Sequence, residues 1–537
     1  MTIVFDILSI LCTSALLAAA FPPHGYHFLA WVALVPLFLR LRGAGVPRGT
    51  LLSFAAGFLY YTGLLWWLLR AEGLNPRNYA AMQLVHAWYF GVFGAAASFL
   101  RKRFPSLDPL AFPTVWVLLE YAKAHIGFLS EPWGTLAYSQ YLVPPVGKVS
   151  AYAGVYGVSF LIVAANASLS VFLSPGGCDP GSAAVAGRGF HPSRKTAAAV
   201  LAGIVVSLAA SGISDRLARA DSGRMPTLKV AFVQGNLYED DTKKPDYSEK
   251  VFGKYIALTK QATDSRPDMI VWPSSSVPGR IPYDRWLVAR LAEVAKSSGA
   301  FFLVGSAGFD KFNEAQRKEQ RIANSAFLFS PGGEILGRYD KMRLLPFDEY
   351  VPFRGYFRWP SWIVATDIKD HYPGKESTVF RTDRARFGVL ICWENYFPDQ
   401  FRELAGKGVD FMVGMTNEGF TRNPGAHSQM LAFYVFRAIE NHVAIARTAS
   451  TGVSGVIGTD GRFVAKVQSA DGKDTDIEGE VTADLPLTAE RTFYNRFGDV
   501  FVAVLLVLLA GMLLRMIIPS WARRDKYQIR HPIGGMP

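Results

Sequence analysis

Apolar stretches close to the ~20 residues that a helix needs to cross a hydrocarbon core recur through this chain, and nothing else limits its fold as tightly. Seven come early, at about 4–20, 26–41, 51–69, 80–99, 110–126, 149–173 and 196–213, and an eighth, Val500 to Ile518, is the cleanest. The second is short enough to be re-entrant instead. Phe5 to Phe21 has no basic segment before it and further spans follow, so it reads as a retained helix and not a removable leader. A mean hydropathy of +0.17 suits membrane helices joined to a soluble part. The organisation expected is therefore about eight transmembrane helices, those of 1–215 followed by a soluble domain over 226–490, a last span over 498–520 and a tail over 521–537.

A formal net charge of +12 would suit nucleic acid if it lay on one folded surface. Lysine and arginine instead flank the spans. Arg40, Arg42 and Arg48 lie between the second and third, and Arg101, Lys102 and Arg103 follow the fourth. Arg188, Arg194 and Lys195 lie between the sixth and seventh, and Arg515, Arg523, Arg524, Lys526 and Arg530 close the chain. The alternate loops hold only Arg70, Arg77, Lys123 and Lys148. By the positive-inside bias both termini are cytoplasmic, with the Gly-rich linker 174–190, and the soluble domain is on the far side. No nucleic-acid partner is expected.

Within 226–490 short apolar strands alternate with amphipathic helices, an α/β pattern. Strands are expected at Leu228–Gln234, Met269–Trp272, Phe301–Gly305, Ala326–Phe329 and Phe411–Met415, and over 443–467 around the turn Thr459-Asp-Gly461. Helical spacing covers 246–265, Trp286–Ser298 and Gln429–Glu440.

Arg386-Phe-Gly-Val-Leu-Ile-Cys-Trp-Glu-Asn-Tyr396 carries the chemistry. A buried-type strand stops at Cys392, where polar backbone begins, and a nucleophile needs such a rigid support with an exposed turn. A buried, inert thiol is the competing reading. Cys12 and Cys178 both lie in the membrane part, so Cys392 has no disulfide partner in its own domain. An unpaired thiol on the oxidising side is hazardous unless it is buried or used. Tyr339-Asp-Lys-Met-Arg-Leu-Leu-Pro-Phe-Asp-Glu-Tyr-Val-Pro352 puts Lys341 and Glu349 in one loop. The lysine suits a thiolate or oxyanion and the carboxylate a proton shuttle; taken singly, each also reads as a solvated charge.

Strand–Cys392–Trp393–Glu394 with an upstream Tyr-x-Lys loop resembles the nitrilase superfamily, which builds a Glu–Lys–Cys triad on an α-β-β-α sandwich. Phe21-Pro-Pro-His-Gly, Leu29-Ala-Trp-Val-Ala-Leu-Val-Pro36, Pro132-Trp-Gly-Thr-Leu-Ala-Tyr-Ser-Gln140 and Gly154-Val-Tyr-Gly-Val-Ser-Phe160 resemble bacterial apolipoprotein N-acyltransferases, in the right order and over nearly the whole chain. The resemblance implies a multi-pass protein of the bacterial inner membrane with a periplasmic catalytic domain. The cysteine would take an acyl chain from a phospholipid as a thioester and pass it to the amino group of a diacylglyceryl-cysteine lipoprotein. Carried onto this chain, Cys392 is the nucleophile and Lys341 its thiolate and oxyanion partner. Glu349 and Glu394 would be supporting carboxylates, and Trp393 the aromatic beside the nucleophile. Asn324 matches a polar position of the family's substrate site, and Tyr350, Asn417 and Arg358 complete the expected substrate-binding set. No metal or organic cofactor is implied.

One departure stands out. The family's general-base glutamate follows Trp-Pro at the end of the second strand, and here Val271-Trp-Pro-Ser-Ser has Ser274 in that place. Serine is no base at neutral pH without one of its own. The chain then reads as an inactive form, as an enzyme with another carboxylate as base, or as a slow enzyme. A membrane-tethered amidase using water, and a non-catalytic lipid or lipoprotein binder, are the alternatives. The aromatic loop Phe353-Arg-Gly-Tyr-Phe-Arg-Trp-Pro-Ser-Trp362 argues against the amidase if it dips into lipid; a buried core would explain it equally.

Overall fold

The computed structural model describes residues 1–71, 74–174, 192–222, 225–238, 247–309, 322–364, 368 and 370–517. Cys178, Arg188, most of the linker 174–190 and the basic residues after 517 lie outside the described residues. Helices occupy seven of the eight apolar stretches: Thr2–Ala20, Val46–Leu64, Pro76–Arg103, Asp108–His125, Ser150–Leu173, Pro192–Ser222 and Val500–Ile517. The remaining stretch is broken into a 3-10 turn, His27–Trp31, and a short helix, Val35–Leu41. By length and composition three are apolar enough to cross a membrane: Thr2–Ala20, Ser150–Leu173 and Ser193–Leu217. Of these, the most apolar 18-residue stretch of Ser150–Leu173 has 78% of its residues buried and that of Ser193–Leu217 only 17%, which makes the first the hub of the bundle and the second its rim.

Small residues let the bundle close. A Cβ on Gly94 would stand 2.2 Å from the Gly49 carbonyl, so Val46–Leu64 and Pro76–Arg103 cross at backbone contact. Basic loop residues gather at one end. Arg40 and Arg48 pair with Asp6, and Arg42 and Arg101 pair with Asp108.

Thirteen strands among the described residues form two sheets. The first contains β1 (Thr227–Gln234), β2 (Met269–Val271), β3 (Val277–Ile281), β4 (Phe301–Phe309), β5 (Ile322–Phe329) and β6 (Ile335–Asp340). The second contains β7 (Val379–Arg381), β8 (Arg386–Ile391), β9 (Phe411–Thr416), β10 (Ile445–Ala449), β11 (Gly455–Ile457) and β12 (Phe463–Lys466). A final strand, β13 (Gly479–Pro486), returns to pair antiparallel with β1. Their orders are β13-β1-β2-β4-β5-β6, with β3 also on β4, and β12-β11-β10-β9-β8-β7.

Strand alternation builds the layers. Val230 and Phe232 of β1 share one core with Phe387, Val389 and Ile391 of β8 and with Val413 of β9, between the sheets. Ala231 and Val233 point the other way, to a core with Phe252 and Tyr255 of helix Tyr247–Thr263 and Leu287 and Leu291 of helix Arg285–Ser298. On the second sheet, helices Pro398–Gly406 and Pro424–Asn441 link the parallel β8, β9 and β10. The domain is an α-β-β-α sandwich. Its helix Pro424–Asn441 rests on the membrane part: Glu440 Oε1 accepts from the Val155 N–H at 2.8 Å, and Arg437 donates to Tyr138 OH at 3.1 Å.

Four strands, β3, β6, β7 and β13, are absent from the sequence expectation. They are short or polar, with burial that comes from neighbours and not from an apolar run. The region 443–467 makes three strands, and the expected turn at Thr459–Gly461 lies between β11 and β12. Where Ala326–Phe329 was the expectation, the strand starts at Ile322, and Asn324 is therefore held in the sheet.

Candidate active site

β8 is buried from Phe387 to Ile391 and delivers Cys392, half-buried, to the first position of the 3-10 turn Cys392–Tyr396. Cys392 has φ 52, in the left-handed region that a side chain avoids unless its surroundings impose it. Glu394 imposes much of it. Fully buried, it accepts from Ile391 N at 2.8 Å, Met342 N at 2.7 Å, Arg343 N at 3.1 Å, Gln400 Nε2 at 2.7 Å and Tyr339 OH at 2.8 Å. Burial raises its pKa, and the Ile391 and Arg343 N–H groups oppose that. One carboxylate thus ties the cysteine turn to the end of β6, where Lys341 begins its loop.

Lys341 is 1% exposed and donates 2.6 Å to Glu349 Oε2. Glu349 also accepts from Leu345 N at 2.7 Å and from Asn324 Nδ2 at 3.3 Å. The Asn324 carbonyl oxygen of the side chain accepts from Ser274 Oγ at 3.3 Å, and its backbone oxygen from Lys341 N at 2.8 Å. The result is a line: Ser274, Asn324, Glu349, Lys341. Burial would lower the Lys341 pKa, but Glu349 and then Cys392 raise it above its usual value. Burial also pushes Glu349 up, and Lys341 more than reverses this, so the carboxylate is held below its ordinary range. Burial lifts the Cys392 thiol; Lys341 pulls it down, while Glu349 and Glu418 add to the rise.

Ser274 is 2% exposed just beyond β2, and the next residue, Ser275, has φ 55. No carboxylate stands in this sequence position. Trp393 is 9% exposed next to Cys392. Tyr350 is half-buried in the Lys341–Glu349 loop, its carbonyl accepting from Phe347 N at 2.8 Å. Asn417, just past β9, accepts from Ser450 Oγ at 2.7 Å and Gly419 N at 3.1 Å. Arg358 is exposed in the aromatic loop. That loop is not a buried core, because Tyr356 is 95% exposed and Phe353 and Phe357 more than half so.

Residues 13–168 match the model described as apolipoprotein N-acyltransferase N-terminal domain, and residues 229–488 match the carbon-nitrogen hydrolase model. Over 509 residues the chain is 31% identical to an apolipoprotein N-acyltransferase of Geobacter metallireducens, covering 92% of each. This chain belongs to the apolipoprotein N-acyltransferase family. Apolipoprotein N-acyltransferase 1 of Treponema pallidum is 29% identical to it over 526 residues, again with 92% of each covered. The soluble sandwich is the family's nitrilase-like α/β unit.

Several buried polar groups of the site region escaped the sequence reading. Glu418, 0% exposed, pairs with Arg447 and accepts from His427 Nδ1 at 2.9 Å. His427 Nε2 faces Asp476 at 3.5 Å, and Asp476 accepts from Tyr238 OH at 2.7 Å. Burial works against the imidazolium, yet Asp476 and Glu418 raise the His427 pKa to about 9. The only cue was Asn417-Glu418 at a strand end, since partners this far apart in sequence leave no spacing to read. A cavity of about 900 Å³ lies elsewhere, lined by Pro145, Gly212, Ile213, Val435 and Arg462, and none of the expected site residues borders it.

Proposed function

We propose that Cys392 carries an acyl chain from a membrane phospholipid to the N-terminal amino group of a diacylglyceryl-cysteine lipoprotein. The chain is an acyltransferase of lipoprotein maturation. In the first step the Cys392 thiolate attacks the donor's ester carbonyl carbon, the C–O bond breaks, and the lysophospholipid leaves with a proton. In the second, the lipoprotein amine attacks the thioester, the C–S bond breaks, an amide forms and the thiol is regenerated. Lys341 stabilises the thiolate and then the oxyanion, Glu349 keeps Lys341 charged and placed, and Glu394 braces the turn. Trp393, Asn324, Tyr350, Asn417 and Arg358 contact the substrates. The observation that carries this reading is Cys392 on its left-handed turn within the field of the buried Lys341–Glu349 pair.

Ser274 leaves the first step without its base. Glu349, Glu394 and Glu418 are each engaged, by Lys341, by five donors and by Arg447, which supports an impaired chain over one with a substitute base. About eight spans, over 1–215 and 498–520, place the sandwich on the periplasmic face of the inner membrane, with residues 521–537 cytoplasmic. In support, the basic loop residues and the sandwich occupy opposite ends of the bundle. The exposed rings at Phe353, Tyr356 and Phe357 are lipid contacts.

Incubation with phospholipid followed by mass spectrometry of the Cys392 peptide tests the reading. An acyl adduct is expected; hydrolysis of small amides with no adduct would favour the amidase. A reporter fused after Pro537 that behaves as exported would overturn the orientation.

A further inference from the structure

Trp133, in the Pro132-Trp-Gly segment of the membrane part, is held from three directions. Its backbone N–H donates to Glu131, its carbonyl accepts from Lys123 Nζ, and its indole Nε1 donates 2.9 Å to Gln429 Oε1. Lys123 and Glu131 are anchored in turn: Lys123 donates 2.8 Å to Tyr61 OH, and Glu131 pairs with His86. Gly134, at φ +75, carries the segment past Tyr61, whose ring lies 2.6 Å from where a Cβ would be. Ionisable groups at the end of a membrane helix are costly, and their retention points to a task. Here they fix one tryptophan.

Gln429 closes the arrangement from the soluble side. It is 4% exposed in the second turn of helix Pro424–Asn441. Besides Trp133, its Oε1 accepts from Trp67 Nε1 at 3.2 Å, and its Nε2 donates to the Pro22 and Leu64 carbonyls at 2.8 and 3.0 Å. Both donors and both acceptor sites of the amide are used, the full capacity of a glutamine. A buried network satisfied this completely specifies one geometry. The Trp133 ring then lies 6.4 Å from Trp393, 5.3 Å from Tyr396 and 5.5 Å from Phe433. Trp393 and Tyr396 belong to the turn that starts at Cys392.

We propose that Trp133 and Gln429 are positioning residues that pass the placement of the membrane helices to the Cys392 turn and so set the thiol against Lys341. This deepens the function proposed above and rests on Cys392 as its nucleophile. Cys392 occupies a left-handed conformation that relaxes when packing against Trp393 is lost. The charged groups that bear on the thiol are Lys341, Glu349 and Glu418, so a small drift of the turn changes the fraction ionised.

The test is the pH profile of Cys392 alkylation by iodoacetamide, read on the Cys392 peptide by mass spectrometry in the full-length protein in detergent. Wild type, Gln429→Leu, Trp133→Phe and the double variant are compared, with folding checked by thermal melting. Each single change is expected to move the profile to higher pH and slow alkylation at pH 7 by about threefold or more, the thiolate loss for half a pKa unit. The double variant should match Gln429→Leu, because both changes sever the same bond. If the contact merely joins the two parts, the variants melt lower and the profiles superimpose; that result overturns the proposal, as does an additive double variant. Should Gln429→Leu not fold, Trp133→Phe, which leaves an aromatic ring but no indole N–H, decides alone. Alkylation needs no acyl transfer, so a missing acyl adduct at Cys392 would sink the functional reading without touching this outcome.

Discussion

The two sheets contribute unequal halves to the site. On the second sheet's side, Glu394 is saturated by five donors at 2.7 to 3.1 Å and holds a turn that aromatic rings back up. On the first sheet's side, Ser274 and Asn324 meet Glu349 through two contacts of 3.3 Å, and no carboxylate occupies the position after Trp-Pro. Cys392 is held by many bonds, whereas the position after Trp-Pro carries a serine and two long contacts. If the proposed roles hold, placement of the thiol is spread over many bonds and its ionisation rests on few.

Removing the nucleophile sharpens the contrast most. Cys392→Ala should abolish the acyl adduct outright, in this chain and in a Ser274→Glu background, when the protein is read by peptide mass spectrometry. Next, Lys341→Met should lower thioester formation by about 10²–10³-fold, the usual loss for one oxyanion donor. It should also move Cys392 alkylation to higher pH, because Lys341 lowers the thiol pKa. An unchanged alkylation profile would break the link between the two halves. Glu394→Gln should destabilise the sandwich by about 1–3 kcal/mol, as buried donors lose their acceptor. Asn324→Ala, with its longer contacts, should cost about 1 kcal/mol or less; comparable losses in chemical denaturation would erase the asymmetry.

The smallest expected effect concerns pH. His427 has its pKa raised from 6.5 to about 9 in the folded chain. The stability it contributes is fully present below pH 6.5 and is lost as pH rises towards about 9. Melting temperature should therefore fall across that window, and His427→Gln should flatten the fall. A variant that keeps the wild-type slope would remove His427 from the account.

Legibility in the sequence followed the same divide. The β8 run, the stop at Cys392 and the Lys341–Glu349 loop are local patterns, and each corresponds to a local structure. Ser274 was visible because Trp272-Pro273 marks its position. Gln429, Trp133 and the Glu418–His427–Arg447–Asp476 cluster were not, for their partners come from distant segments: Gln429 alone joins Pro22, Leu64, Trp67 and Trp133. The broken stretch 26–41 read as a possible span because composition does not show where a 3-10 turn interrupts a helix.

If Cys392 accepts the acyl chain and the serine at 274 slows it, a restored carboxylate should speed the first step. The direct measurement is the initial rate of thioester formation at Cys392 from a fluorescent phospholipid, in this chain and in Ser274→Glu. The restored carboxylate should raise the rate by about 10²–10⁴-fold, the range for a general base. Equal rates would contradict the account and leave Glu349 as the base to examine first.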